Sequence, residues 1–523
     1  MVRELLFALL LLAGPAAQAY PYCVDLIAVE NRAARPLEAV ENPTLRSLLL
    51  SIKTFALEYR PSIVNLIKSE MLKESETTKT HVRAQMKKGR GYKTGTVIIG
   101  MGQHSAIFRL QLTAMGISSL ALEAGRTASS GVFGDTGASF NTNSENHEDR
   151  VSNVLHGSNF RIWDFSHELF PAAEVFGYNA IVAHAQAKGR VLFDSQAEEV
   201  IDGKAWGVPI TAQWPARYKI ITADGLEIFA DHVVVATGLG RSQLKTDSEA
   251  LLKFIDEHRK IPVGPGLAPG IQYLEDFNVF VAFTYQRTKR SALSPYEGLD
   301  GVVVGSGHGA DTVVEAMAGK ADPIIYAGSD PLILKARSLL WMNQKAKNSL
   351  ELVASVPKRY KGRLDGVLER DDFTFTPDRL KNIRRVTILG VEKFELTTDK
   401  DQVFYKDFVI LPTGYRGVAG HLLAGLVPGT STVNFPGIIG QIPRMDEITV
   451  VARRAVPVGM PADYDGPMII GAAASVEGKM VVGEEQLIGN TGEHSINFLN
   501  KRTRDAARQF IDKYYPSAKI RNP

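Results

Sequence analysis

Short runs of apolar, mostly β-branched residues that close on glycine recur along this chain. Thr96–Ile99 runs into Gly100-Met101-Gly102. A segment with helical spacing follows, in which Ile107, Leu110, Leu112 and Met115 share a face, and a second apolar run, Ser119–Leu122, ends in Glu123. The pattern returns at Val302–Val304, which runs into Gly305-Ser306-Gly307, then a helical segment through Val313 and Met317, then Pro323–Ala327. Two more runs, Asp231–Gly238 (DHVVVATG) and Asp407–Tyr415 (DFVILPTGY), close in the same way. Continuous apolar runs of this length suit strands buried on both faces. Their alternation with helical segments predicts an α/β fold with parallel sheets.

Around these units the pattern predicts simpler elements. Leu45–Leu72 reads as one or two helices broken near Pro61, Glu174–Ala187 as an amphipathic helix, and Glu485–Phe510 as a C-terminal helical region. Arg190–Ile201 and Tyr218–Ile228 alternate like strands, the second with an Asp224-Gly225 hairpin turn. Phe373–Phe404 reads as paired strands, and Met468–Gly478 as a strand followed by small residues.

The first glycine unit carries dinucleotide chemistry. Gly100 permits a sharp turn, and Gly102 lets backbone approach a pyrophosphate at the positive end of a helix. Ser105 takes the third small position, where helix and strand pack. Glu123 stands about twenty residues on, where a carboxylate accepts hydrogen bonds from a ribose. In the second unit Gly305, Gly307 and Ala310 hold the equivalent places, but Ala327-Gly328-Ser329 stands where the acid would be. An acid there repels a 2′-phosphate, so its absence, with Lys335 and Arg337 nearby, leans toward NADPH over NADH. Thr237-Gly238 and Thr413-Gly414 end buried strands in tight turns that bring backbone N–H groups to a cofactor.

Composition narrows the class. The chain has 523 residues, enough for two or three domains. A formal charge of +3 points to no nucleic acid. Its single cysteine, Cys23, excludes an intramolecular disulfide, a redox pair and a cysteine-based zinc site. Arg3, the leucine-rich run Leu5–Ala13 and Ala17-Gln18-Ala19 read as a secretory signal peptide cleaved after Ala19, so the mature protein is expected to be exported with no stable membrane span. Lys79–Lys93 is basic and reads as a solvated linker, with an anionic membrane or substrate patch as the sharper reading. Gly131–Arg150 is a polar loop placed to lie over a cofactor.

The order of nucleotide motif, VVVATG, second nucleotide motif, VILPTGY and late small-residue strand resembles the flavoprotein superfamily with two dinucleotide-binding domains. The resemblance spans roughly residues 95–500. It implies FAD held by Gly100, Gly102 and Glu123, the nicotinamide cofactor held by Gly305, Gly307 and Ala310, and ATG-type turns at Thr237-Gly238 and Thr413-Gly414. The disulfide reductases of this group need a cysteine pair that this chain lacks. The FxGxxxHxxx(Y/F) signature of flavin-containing and Baeyer–Villiger monooxygenases is missing; Phe435-Pro436-Gly437 begins like it and then departs. Ala472 and Ala473 follow Gly471 where the late GD motif has its aspartate. The closest remaining pattern is that of the N-hydroxylating monooxygenases.

The expected architecture is therefore two Rossmann-like domains, the second inserted in the first, with hairpin additions and an N-terminal helical extension. Expected divisions are residues 1–19 for the signal, 20–92 for the extension and linker, 93–295 and 407–523 for the FAD domain, and 296–406 for the NAD(P) domain. The expected activity is NAD(P)H-dependent monooxygenation of a small organic substrate. An FAD-dependent oxidase or dehydrogenase with an idle second site, and a non-catalytic flavin-binding protein, are the alternatives. No catalytic acid–base pair is legible; His104, Asn143 and His308 are near the motifs and suit structural or solvent-facing roles at least as well. Neither the substrate nor the oligomeric state can be read.

Overall fold

The computed structural model describes residues 40–54, 60–126, 139–140, 170–171, 178–242, 244, 246, 248–260, 270–274, 276–277, 299–304, 322–327, 373–376, 380–412, 415–417, 422, 449–451, 463–471, 475–477, 480–482, 485–487 and 496–521. Gly305, Gly307, Ala310, Thr413, Gly414, Asn143, His308, Ala472, Ala473, the signal segment and all of residues 131–150 except Ser139–Phe140 lie outside them.

Two helices come first, α1 (Pro43–Thr54) and α2 (Arg60–Lys87). Pro61 does not break a helix here, because in the first turn the missing N–H has no intrahelical partner to lose. The basic run read as a linker is largely the last turns of α2. Lys79 is buried there, donating to the Asp194 carbonyl at 3.3 Å and pairing with Asp224 at 3.6 Å. Long-range partners thus hold in a helix what composition alone reads as solvated chain.

Strand β1 (Tyr92–Ile99), helix α3 (Gln103–Ala114) and strand β2 (Leu120–Leu122) form the first unit. Helix α4 (Tyr178–Gln186) leads to β3 (Val191–Leu192). Strands β4 (Ala197–Asp202), β5 (Tyr218–Thr222) and β6 (Glu227–Val235) follow. Gly225 makes the β5–β6 turn with φ +76°, its N–H donating to the Thr222 carbonyl at 2.8 Å. The sheet order is β3-β2-β1-β6-β5-β4. The β3, β2, β1 and β6 pairs are parallel, and β4–β5–β6 are antiparallel.

The chain then crosses through β7 (Leu239–Ser242) and α5 (Glu249–His258) to a second sheet. This sheet contains β8 (Ile271–Tyr273), β9 (Asp300–Val304), β10 (Asp322–Ala327) and β11 (Phe373–Thr376). A three-stranded antiparallel meander follows, β12 (Leu380–Ile388), β13 (Val391–Thr398) and β14 (Val403–Lys406). Strand β15 (Phe408–Leu411) then slots between β8 and β9, giving the parallel order β8-β15-β9-β10-β11.

The return path runs through β16 (Tyr415–Gly417), antiparallel to β7. Strand β17 (Met468–Ile469) then rejoins the first sheet beside β6. Outgoing and returning chain are therefore paired, and the second parallel sheet is inserted in the first. Helix α6 (Ile496–Tyr514) closes the fold against α3, with the Phe108 and Phe510 rings 5.3 Å apart. Among the described residues the helical reading of the C-terminal region holds for Ile496–Tyr514, while Glu485–Leu487 is a strand paired with Met480–Val482.

Helix α3 is buried on more than the one predicted face. Ala106 and Ile107 pack with α1, α2 and α4, while Phe108 and Leu112 pack with β1, β6 and α6. This double coverage fixes α3 firmly at the carboxyl ends of the strands.

Candidate functional site

The carboxyl ends of β1, β2, β6 and β17 converge, with β1 at the point where the connections turn to opposite sides. Ligands of open parallel sheets sit at such a place. Gly100 ends β1 with φ +101°. A Cβ at Gly100 would meet the Ala236 carbonyl oxygen at 2.5 Å. Both backbone conformation and the proximity of β6 therefore demand glycine there.

Gly102 is different. It is the N-cap of α3, with φ −76° and ψ −177°, and no side chain caps the helix there. A Cβ would meet nothing within 4 Å. Neither strain nor packing within the described residues requires glycine at this position. The open approach lies at the positive end of a helix, where backbone N–H groups favour an anion.

Glu123, buried at the end of β2, turns back onto the glycine turn. Its carboxylate accepts from the Met101 N–H at 3.0 Å and from the Gly125 N–H at 3.2 Å. Those bonds fix its orientation. With two lone pairs on each oxygen, a carboxylate so held keeps capacity for a ribose hydroxyl. At the end of β6, the Thr237 hydroxyl is buried and has no hydrogen-bond partner among the described residues. Buried polar atoms without partners are uncommon, so this one marks a missing group. Gly238 follows with φ +68° and open space at its Cβ position. Gly471, just past β17, closes the circle; a Cβ there would press on the His104 ring at 2.7 Å. The structure thus brings Gly100, Gly102, Ser105, Glu123, Thr237 and Gly238 to one end of one sheet.

Beneath this turn lies a network that sequence reasoning missed. Arg109 is completely buried, and its hydrogen-bond partners among the described residues are all uncharged. Its guanidinium donates to Ser119 Oγ at 3.1 Å, to the Ser119 and Arg190 carbonyls at 3.3 Å each, and to His184 Nδ1 at 2.9 Å. Guanidinium has donors only, so His184 Nδ1 accepts and its proton sits on Nε2. That nitrogen lies 3.2 Å from Ser105 Oγ, which donates to the Gly102 carbonyl at 2.8 Å. Burial lowers the Arg109 pKa to about 9, still high enough to keep its charge at neutral pH. Burial first, and the Arg109 charge second, push His184 well below its ordinary value and hold it neutral. Ser105 is more than a small residue that lets helix and strand pack. The one available signal was Arg109 itself, a charge amid the apolar positions of the motif helix.

The strands preceding the second motif and the second ATG-type turn end at Val304 and Leu411, and β9 and β15 are parallel neighbours. Here too the connections turn to opposite sides, toward β10 and toward β15. Among the described residues no group of three or more His, Cys, Asp and Glu is placed to hold a metal ion.

No family model and no curated protein matches the chain. Solved structures do resemble it. A bacillithiol disulfide reductase from Bacillus cereus is 15% identical, with a TM-score of 0.47, covering 80% of this chain and 99% of that one. A flavin monooxygenase from Stenotrophomonas maltophilia is 15% identical, with a TM-score of 0.44 and the same coverage. A thioredoxin reductase from Lactococcus lactis is 11% identical, with a TM-score of 0.42, covering 80% of this chain and 98% of that one.

Proposed function

We propose that this protein is an FAD-dependent oxidoreductase that takes electrons from NADPH or NADH and monooxygenates a small organic molecule. The observation that carries the flavin reading is Gly102, a glycine facing open space at a helix N-terminus where nothing in the fold itself asks for one. The residues around it suit the group. Gly102 and the first amides of α3 would hold the pyrophosphate, Glu123 a ribose hydroxyl, and Thr237 Oγ1 a further polar atom of the cofactor. Glu123 is oriented in advance by the Met101 and Gly125 amides, so ordering it costs binding little.

Bound FAD would supply hydride acceptance and the reaction with oxygen. The chain's own part is to bind, orient and exclude water. Gly305, Gly307 and Ala310 would hold the nicotinamide cofactor. Disulfide exchange through an intramolecular cysteine pair is not open to a chain whose single cysteine is Cys23. A second reading, an oxidase or dehydrogenase with an idle second site, is favoured by the leucine-rich N-terminus, because exported compartments lack a steady NAD(P)H supply.

The absorption spectrum of the purified protein tests the flavin reading, and a colourless, flavin-free protein sinks it. Anaerobic mixing with NADPH or NADH separates the two activities. Bleaching of the flavin, faster with NADPH, is expected. A flavin that stays oxidised with both and is bleached by an organic substrate replaces the monooxygenase with the oxidase.

A further inference from the structure

Two exposed features of the first sheet's edge lie side by side, and neither serves the nucleotide site. One is the loop between β4 and β5, residues 203–216. It lifts Trp206 and Ile210 into solvent, 76% and 73% exposed, with Ala205 and Pro209 exposed beside them. The loop is built rather than slack. Its Val208 N–H donates to the Gly203 carbonyl at 2.8 Å and its Gly207 N–H to the Lys204 carbonyl at 3.2 Å. Thr211 N–H donates to the Trp214 carbonyl at 2.9 Å, and Trp214 N–H returns to Thr211 Oγ1 at 3.0 Å. The base is held by Arg217, which donates to Asp202 from two nitrogens. An indole on a rigid loop is presented outward by the fold.

The other feature is the turn that ends α2. Lys87, Lys88 and Arg90 are exposed there, around Gly89 at φ +63°. None of the three forms an ion pair among the described residues. Three nearby carboxylates are engaged, Asp231 with Lys93, Glu227 with Lys219, and Asp465 with Lys204 and Arg217, while Glu198 and Glu199 on β4 are exposed. The two features are tied together. Gly91 N–H donates to the Ala212 carbonyl at 3.0 Å, and Gly91 has no room for a Cβ because Pro215 and Phe229 press on it at 2.5 and 2.7 Å.

We propose that this edge is a peripheral docking surface for an anionic phospholipid bilayer, with Trp206 and Ile210 entering the headgroup region while Lys87, Lys88 and Arg90 meet lipid phosphates. The charge complementarity selects the occupant: cations without an ion pair among the described residues sit on the turn to which the loop with the apolar tip is bonded, and an indole favours the boundary between acyl chains and water. No helix of the described residues is long and apolar enough to cross a membrane, so attachment through this edge lies on the surface.

Co-sedimentation of the full-length protein with vesicles tests this. Binding is expected to vesicles of equal parts phosphatidylglycerol and phosphatidylcholine, to weaken with salt, and to be nearly absent with phosphatidylcholine alone. The double variant Trp206→Ser, Ile210→Ser should abolish binding. Lys88→Glu with Arg90→Glu should weaken it by at least about fivefold per charge removed. All four side chains are exposed, so melting temperature should stay at the wild-type value and show that the variants are folded. Wild-type protein that ignores both vesicle types, or folded variants that bind as wild type does, would overturn the proposal. So would a wild-type dimer that the tryptophan–isoleucine variant converts to monomer, because the surface would then be covered by a second copy.

Discussion

A terminal nitrogen of the Arg109 guanidinium lies 2.9 Å from Nδ1 of His184, a residue 75 positions away in the sequence. This bond joins the helix of the glycine motif to α4, which no nucleotide motif announces. Through His184 Nε2 and the Ser105 hydroxyl it reaches the Gly102 carbonyl, so the glycine turn is braced from below by a buried charge. Arg109→Met should leave His184 Nδ1 without its donor and take one donor from each of the Ser119 and Arg190 carbonyls, the latter keeping the Ala121 N–H at 3.0 Å. Each buried acceptor left unpaired costs about 1–3 kcal/mol. Arg109→Lys should recover little, because an ammonium cannot reproduce the fork. Urea unfolding at neutral pH measures both.

Ser105→Ala isolates the upper bond of the same chain. It removes the hydroxyl between His184 and Gly102 while keeping helix propensity, so a loss of about 1–3 kcal/mol is expected. A Ser105→Ala protein as stable as wild type would mean that the network does not brace the turn.

His184 also gives stability a pH dependence. Its folded pKa is held well below the ordinary 6.5 by burial and by Arg109. His232 is lowered to about 4, by burial first. In both cases the unfolded chain takes up a proton that the folded chain refuses. Stability is therefore complete above about pH 6.5 and falls as pH drops below it, by up to about 1.4 kcal/mol per pH unit for a fully buried group such as His184. Melting temperatures between pH 7.5 and 5 check the direction, and His184→Gln should flatten the slope.

Gly100 and Gly102 are predicted to part company on substitution. Gly100→Ala forces a Cβ into the Ala236 carbonyl at positive φ, and should cost well over about 1 kcal/mol of stability. At Gly102 an added Cβ meets no described atom within 4 Å, so Gly102→Val should change stability by less than about 1 kcal/mol while bound flavin is lost. Thermal melts beside absorption spectra separate the two effects. A fully loaded, yellow Gly102→Val protein would remove the basis for the site.

The second motif and the N-terminus yield a separate pair of tests. Gly307→Val should abolish flavin reduction by NADPH and leave bound FAD in place, since the strands that lead into the two motifs belong to different sheets. Loss of both would report misfolding. N-terminal sequencing of the processed protein should begin at Tyr20 if the leucine-rich run is a cleaved signal; an intact Met1 in an extracytoplasmic fraction would make it an anchor.

The sequence alone determined the parallel strands, the glycine turns and Glu123, because each depends on local residue type. Buried strands need apolar runs, tight turns need glycine, and the helix follows its strand directly in the chain. The insertion was legible for the same reason, as a motif repeated between two halves of another. Tertiary structure decided what depends on distant partners. Lys79 looked like solvated linker until Asp194 and Asp224 were placed against it. Ser105 looked like a stand-in for glycine, and Arg109 drew no reading at all, until α4 brought His184 between them. The loop that carries Trp206 and the turn that carries Lys88 gave no hint of meeting until Gly91 and Ala212 paired. Periodicity records which way a side chain points along its own element; only packing decides what meets it there.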